Sequence, residues 1–334
     1  MKLLYLSCHS IAEYDEVRLF KELGIDVFSH GAYTDPNVND DPKRPPIGGK
    51  RDDRLIQLAR QNPKENMSRE FLDNFDVILS HWMPKWIALN WENMKDKIVI
   101  MRTNGQSSPD DEHVLGQYRK QGLKIVRYSP TERTIPNYCG EDVIIRFYKD
   151  PDEWKNWNGN KAQVITIGQS MIKRNKFCNW DVFYQATAGL PRKIYGPENE
   201  EAGDIWAGCV SYNELRKALR DSRVYFYTGT HPASYTLNFI EAWMTGIPVV
   251  AVGPEFGNQT FIPSQKTYEV SRLIKKGVDG FYADDLGLLN HYCKQLLKNK
   301  KLAKRIGDEG RKSAIAIFGK ARIKNEWQKF FEGL

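Results

Sequence analysis

The residues Ser234, Tyr235, Thr236, Leu237 and Asn238, with Glu241 three positions on, lie where turn residues give way to a helical pattern. A helix start leaves its first backbone N–H groups without intrahelical partners, and the helix dipole adds positive charge there, so the position suits a phosphate. Ser234, Tyr235 and Thr236 supply hydroxyls or backbone donors, and Leu237 and Asn238 supply N–H groups. Glu241 lies one turn farther in, where a carboxylate accepts two hydrogen bonds from a diol. A second group is basic: Gly168 closes the apolar run "VITIG", and Lys173, Arg174 and Lys176 follow it. Cations just past the C-terminal end of a strand suit an anion in an α/β sheet. The plain alternatives are a solvated helix acid for Glu241 and a solvated basic face for the three cations.

Other chemistries find less support. The five cysteines, Cys8, Cys139, Cys178, Cys209 and Cys293, show no C-x-x-C spacing and are odd in number, so reduced thiols are expected. The six histidines form no H-x-x-x-H or H-E-x-x-H pair. No Asp-x-Asp stands at a strand end, so no metal is expected. Lys and Arg exceed Asp and Glu by 49 − 42 = 7, which suits an anionic partner but is too small an excess to name nucleic acid. The longest apolar runs fall far short of the ~20 residues a membrane span needs. The start "MKLLYLSCHSIAEYDE" has acidic residues at once and no small-residue cleavage site, so a cytoplasmic protein is expected.

The elements that must position these groups follow a β/α rhythm. "KLLYLSC", a helical pattern ending at Gly24 and "IDVFSHG" make a β-α-β opening, which favours a parallel sheet. Asp35 to Lys50, rich in Pro, Gly, Asn and Asp, reads as a long loop. "FDVILSHW", "KIVIMRTNG" and "LKIVRYS" are further strands. "YKDPDEWKNWNGNKAQ" breaks the rhythm and is taken as the interdomain connection. A second series follows, with strands at "VITIGQS", "RKIYGP", "AGCV", "RVYFYTG", "IPVVAVG" and "TYEVSRL". Two α/β domains are expected, residues 1–155 and residues 156–319, and residues 320–334 read as an amphipathic helix carrying Trp327 and Phe330.

The order of motifs in residues 160–318 resembles the nucleotide-sugar-binding domain of GT-B glycosyltransferases, in particular glycosyltransferase family 4. "VITIGQSMIKRNK" resembles the family's strand, glycine and basic loop, and "KIYGPE" its next strand and turn. "AGCVSYNELRKALRDSRVYFYTGTHPASYTLNFIEAWMTGIPVVAV" resembles its base-binding loop, helix, strand, donor helix and following strand, and "LIKKGVDGFYADD" its G-x-x-G-F turn. The resemblance implies two Rossmann-like domains facing each other across a cleft, with the 320–334 helix packing Trp327 and Phe330 back on the first. It also implies a nucleotide diphosphate sugar as donor, transfer with retention of anomeric configuration, and no essential metal or other cofactor.

Residue by residue, the resemblance implies that Leu237 and Asn238 face the diphosphate and that Glu241 holds the ribose. Ala233 stands where the family keeps the first acid of its Glu-seven residues-Glu motif, and Gln169 where it keeps an Arg. The cations implied to neutralise the leaving diphosphate are then among Lys173, Arg174 and Lys176, the last two also catalytic candidates. Gly208, Cys209 and Val210 match the base-binding loop, with Tyr195 or Tyr212 to stack on a ring or, equally, to cover the core edge.

The first half would hold the acceptor. Ser7, His9, His81, Arg102, Thr103, Asn104 and Gly105 lie at strand ends; His9 is the catalytic candidate, and His81, Asn104 and Gly105 the acceptor candidates. No general base carries over from the family, in which the leaving phosphate is thought to help deprotonate the acceptor. The acceptor stays open between a glycan, a lipid-linked acceptor and a hydroxymethylated DNA base, and a sugar-nucleotide-binding protein without transfer activity remains the other alternative.

Overall fold

A computed structural model describes residues 1–38, 43–105, 107–259, 262 and 264–334. These form two compact units, Met1–Phe147 with Ile323–Leu334, and Tyr148–Arg322.

The first unit is built on a six-stranded sheet in the order β2-β1-β3-β4-β5-β6. Its strands are β1 (Lys2–Leu6), β2 (Asp26–His30), β3 (Val77–His81), β4 (Ile98–Arg102), β5 (Lys124–Arg127) and β6 (Val143–Ile144). All its pairings are parallel, in register from Leu3 against Val77 to Val77 against Ile98. A parallel sheet covered on both faces needs near-continuous apolar strands, and "VILSH" is buried at every position.

Two buried arginines hold this unit. The Arg102 guanidinium at the end of β4 pairs with Glu16 at 2.9 Å and donates to the Ile145 carbonyl at 2.6 Å. Glu16 also accepts from the Tyr5 hydroxyl at 2.6 Å. The Arg102 guanidinium lies 4.4 Å from the Phe147 ring centre and 5.3 Å from that of Trp327. Arg127 of β5 makes a two-pronged pair with Glu112, at 2.6 and 2.7 Å. The C-terminal helix Lys320–Glu332 brings the Trp327 ring to 4.8 Å and the Phe331 ring to 5.2 Å from Phe20. Phe330 instead packs on Trp327 and Phe331.

The second unit carries a five-stranded parallel sheet in the order β11-β10-β9-β7-β8. Its strands are β7 (Lys161–Ile167), β8 (Arg192–Tyr195), β9 (Ser222–Tyr227), β10 (Val249–Val252) and β11 (Phe281–Ala283). "AGCV" forms no strand: the chain meets β8 in one bridge between Trp206 and Ile194, with Ala207 N–H donating to the Ile194 carbonyl at 2.8 Å, and Gly208 at φ 91° then turns it away. "TYEVSRL" holds a short helix, Val270–Leu273, because its Val and Leu lie three apart on one side of a turn rather than alternating.

The division between units falls at Phe147/Tyr148 rather than at 155/156. Lys149 pairs with Gly319, its N–H donating to the Phe318 carbonyl at 3.0 Å, and Lys320 pairs with Asp150 at 2.9 Å. Arg311 donates to the Pro151 carbonyl at 2.8 Å. Those bonds fasten "YKDPDEW" to the second unit, so a segment polar enough to read as a linker is structured. No helix among the described residues is long and apolar enough to cross a membrane.

Glu16→Ala leaves the Arg102 guanidinium buried without its counter-charge. The expected loss of unfolding free energy is about 3–5 kcal/mol, read by urea denaturation; a loss under about 1 kcal/mol would show that the pair does not hold this unit.

Candidate functional site

In the second unit, the strands β7, β8 and β9 all end on one side of the sheet, where α/β folds bind ligands. Gly168 follows β7 and Gly196 follows β8, and the two turns cross so closely that a Cβ on Gly196 would sit 2.2 Å from the Gly168 carbonyl oxygen. Asn199, 1% exposed, clamps the crossing. Its side-chain amide donates to the carbonyls of Gly168 at 2.8 Å, Gly196 at 3.1 Å and Pro197 at 2.9 Å. Its Oδ1 accepts from Met171 N–H at 2.8 Å, fixing the start of the basic loop. The sequence reading missed Asn199; its only signal was its place just after the Gly-Pro turn.

The helix Leu237–Thr245 begins beside this turn. Thr236 is its N-cap residue, with extended backbone, and no side chain caps the helix start. The Asn238 side-chain amide donates instead to the Ile167 carbonyl at 2.7 Å, tying the first helical turn to the end of β7. The Thr236 hydroxyl engages the Asn238 amide oxygen and lies 3.3 Å from the Tyr227 hydroxyl. Leu237 and Asn238 are half-buried. Their backbone N–H groups are therefore at an uncapped helix start, next to a glycine turn, on the ligand-binding side of a parallel sheet.

The basic loop is joined to the same corner. His231 N–H donates to the Phe177 carbonyl at 2.7 Å, and the Asn179 amide donates to the Thr228 carbonyl at 2.8 Å. Lys173, Arg174 and Lys176 are exposed. Lys173 lies 3.8 Å from Glu201, and neither Arg174 nor Lys176 enters an ion pair among the described residues. Gln169 donates to Glu198 at 3.0 Å. Across the Gly168/Gly196 crossing, the Gly208 carbonyl accepts from Gly196 N–H at 3.1 Å. Tyr195 and Val210 are half-buried nearby in sequence, Cys209 is exposed, and burial pushes the Tyr195 hydroxyl pKa up.

Several expected site residues lie elsewhere. Ser234 is fully buried, its carbonyl accepting from Glu269 N–H at 3.0 Å, and the Tyr235 ring packs 5.1 Å from Phe318. Tyr212 packs on Trp154 and donates to Glu153 at 3.2 Å, so it covers the core edge. Glu241 is 2% exposed, and its Oε1 lies 2.5 Å from Nζ of Lys149, itself 1% exposed. The acid that breaks the apolar pattern of this helix is thus the counter-charge of a buried lysine 92 positions earlier in the chain, not an open ribose ligand. No local pattern could have shown that partner.

In the first unit the structure brings His9 and His81 together, with ring centres 6.2 Å apart. His9 caps the helix Ser10–Glu22, its Nδ1 accepting from Ala12 N–H at 3.3 Å. His81 is fully buried, with no hydrogen-bond partner on either ring nitrogen among the described residues, and burial drives its pKa well below the ordinary value. Gly105 turns in the left-handed region at φ 84°, where a Cβ would lie 1.8 Å from the Tyr128 hydroxyl. The Asn104 Oδ1 beside it is buried and unpartnered among the described residues. Arg102 is structural, and Thr103 donates to the buried Glu132 at 2.8 Å. His81 and Gly105 are therefore closed to an acceptor, whereas Cys8 is exposed and His9 and Asn104 are half-buried. Among the described residues no group of three or more His, Cys, Asp or Glu is placed to hold a metal ion.

No protein-family model matches this sequence, and no curated protein matches it. Solved structures do. HepE of Anabaena, in complex with UDP and glucose, superposes over 100% of both chains with a TM-score of 0.69 at 13% identity. The chain has the GT-B fold. Sucrose-phosphate synthase of Thermosynechococcus elongatus matches 100% of this chain and 98% of its own with a TM-score of 0.69 at 12% identity. A glycosyltransferase of Rickettsia africae matches 99% and 98% with a TM-score of 0.67 at 12% identity. The two parallel sheets agree with this fold.

Glu241→Leu should lower stability by about 3–5 kcal/mol because it strands the Lys149 ammonium in the interior, whereas the double replacement Lys149→Met with Glu241→Leu should cost less than either Glu241→Leu or Lys149→Met alone. Urea denaturation of the three variants checks this ordering. Acid should also act through buried histidines. Burial pushes the pKa of His30 and His231 down to about 4 from an ordinary 6.5. The unfolded chain then takes up protons first, so stability present above pH 6.5 is lost as pH falls toward about 4. Glu132, pushed up to about 7 by burial from 4.5, acts in the opposite sense, and offsets part of the loss between those values. Urea midpoints across this range should fall less steeply for His231→Gln than for the parent protein.

Proposed function

We propose that this protein is a glycosyltransferase that moves a sugar from a nucleotide diphosphate sugar to an acceptor hydroxyl, with retention of anomeric configuration as in glycosyltransferase family 4. The observation that carries the reading is the uncapped start of the helix Leu237–Thr245, tied by Asn238 to the end of β7 beside the Gly168 turn. Such a corner presents backbone donors to a diphosphate without needing a side-chain ligand. The fold neighbours include HepE structures in complex with UDP and with UDP-glucose, which supports a nucleotide-sugar donor.

In this reading the N–H groups of Leu237 and Asn238 hold the diphosphate and the backbone at Gly208 and Val210 meets the base. Arg174 and Lys176, exposed and outside any ion pair among the described residues, offset the charge that develops on the leaving group. The acceptor hydroxyl oxygen bonds to the anomeric carbon as the bond from that carbon to the phosphate oxygen breaks. The electron pair stays with the diphosphate, and the hydroxyl proton passes to a phosphate oxygen. His9 then has no proton-transfer duty, consistent with its Nδ1 being engaged at a helix start. Five unbridged cysteines support action in the cytoplasm.

Leu237→Pro tests the central contact. Proline is accommodated at the first helical position, and Thr236 before it is already extended at φ −118°, so the helix persists while one N–H is deleted. A hydrogen bond to a charged group is worth about 1.5–3 kcal/mol, so donor affinity should fall by roughly one to two powers of ten. Calorimetry with UDP-glucose and other nucleotide sugars measures it, and unchanged affinity with an intact fold would refute the phosphate role. NMR of the product reads the anomeric configuration; inversion would overturn the family 4 mechanism. Turnover is expected to survive EDTA, since the basic loop supplies the positive charge in place of a metal.

A further inference from the structure

The second unit carries a basic corner far from the candidate donor site. The helices Leu286–Lys298 and Lys300–Phe318 meet at Asn299, which ends the first and caps the second by accepting from Leu302 N–H. Across residues 286–307 the chain has no Asp or Glu, while Lys294, Lys298, Lys300, Lys301, Lys304 and Arg305 are all exposed. Lys300 donates to Asn160 at 2.8 Å and Arg223 donates to the Leu297 carbonyl at 2.5 Å. These bonds fasten the corner to the starts of β7 and β9, next to the exposed Lys161. The Gly168 turn lies at the other end of β7, about 20 Å away at the usual rise of a strand. Of the acids that bound the corner, Asp221 accepts from Asn158 at 2.9 Å, Glu309 accepts from Lys312 at 2.7 Å, and Asp308 pairs with the corner's own Lys304 at 2.7 Å, which leaves Lys294, Lys298, Lys300, Lys301 and Arg305 outside any ion pair among the described residues.

A second observation is independent of the count of charges. The helix Lys300–Phe318 has Lys300 and Lys301 in its first turn and no acidic residue there. The positive end of the helix dipole opposes cations at this position, so helix stability alone selects against them. Lys300 is compensated by its bond to Asn160, but Lys301 has no hydrogen bond or ion pair among the described residues, and a local rule broken there without compensation marks a surface used for something else.

We propose that this corner docks on an anionic lipid surface. Five of the six cations are lysines, compact charges on flexible stems that follow a dispersed negative layer, rather than the arginine forks that grip individual phosphates. The corner is formed by two helix ends, and its tyrosine, Tyr292, is stacked on Phe281 at 4.4 Å and unavailable to stack on a base. An attachment at the strand starts leaves the opposite, strand-end side of this unit open. The inference stands apart from the donor reading, since no residue of the corner belongs to the donor site.

The test is sedimentation of the full chain with vesicles of phosphatidylcholine alone or with about 30% phosphatidylserine, at about 0.05 M and about 0.5 M salt. Binding is expected only to the anionic vesicles and only at low salt. The triple variant Lys294→Glu/Lys298→Glu/Lys301→Glu should bind at least about tenfold more weakly, with an unchanged thermal shift on adding UDP-glucose. Equal binding to both vesicles, or an unchanged variant, overturns the proposal. So does tighter binding to a DNA duplex than to the anionic vesicles, if the triple variant abolishes it. A missing UDP-glucose shift in the parent protein would count against the donor reading and leave the lipid result standing.

Discussion

Every strand pairing in both sheets is parallel, and a parallel neighbour cannot be reached by a tight hairpin. Each strand must therefore end on the same side as its partner and be followed by a crossover that covers the sheet. In the second unit that requirement gathers the glycine turn after β7, the turn after β8 and the entry to the helix Leu237–Thr245 into one corner. The backbone donors of that corner follow from strand direction, which is why a site is recognisable although two side chains expected from related sequences, at Ala233 and Gln169, are absent.

Several charged groups inside both units are used in matched pairs. Arg102 with Glu16, Arg127 with Glu112 and Lys149 with Glu241 are all buried. Each pair carries a desolvation cost that only close geometry and further hydrogen bonds offset, so such pairs specify one arrangement more than they add stability. Tyr5 and the Ile145 carbonyl complete the Arg102 pair, and Cys139 N–H donates to Glu112 at 3.0 Å. The Lys149 pair joins the helix Leu237–Thr245 to the segment where the second unit begins, giving the helix a fixed anchor below its start.

The clamp by Asn199 has the same logic at the level of the backbone. Two glycines allow the turns after β7 and β8 to touch, and three carbonyls brought that close need a donor between them. One buried amide satisfies all three and also sets the first residue of the basic loop. The corner's backbone is held by these bonds, while Arg174 and Lys176 are exposed and outside any ion pair among the described residues.

The sequence by itself determined the parallel α/β character, the strands of the first sheet from β1 to β5, the glycine turn and the helix start at Leu237, because apolar runs, helical spacing and capping chemistry are local. It also showed an amphipathic helix at the chain end, whereas the return of Trp327 to the first unit was implied only by the resemblance and is decided by the folded structure. What only the tertiary structure decided were the long-range pairings: Glu241 with Lys149, Tyr235 with Phe318, Tyr212 with Glu153, and the membership of residues 148–155 in the second unit. An isolated acid, tyrosine or polar segment looks the same in sequence whether it faces a ligand or a buried partner. The difference is made by the desolvation of charges and rings against residues tens of positions away, a quantity that exists only once the chain is folded.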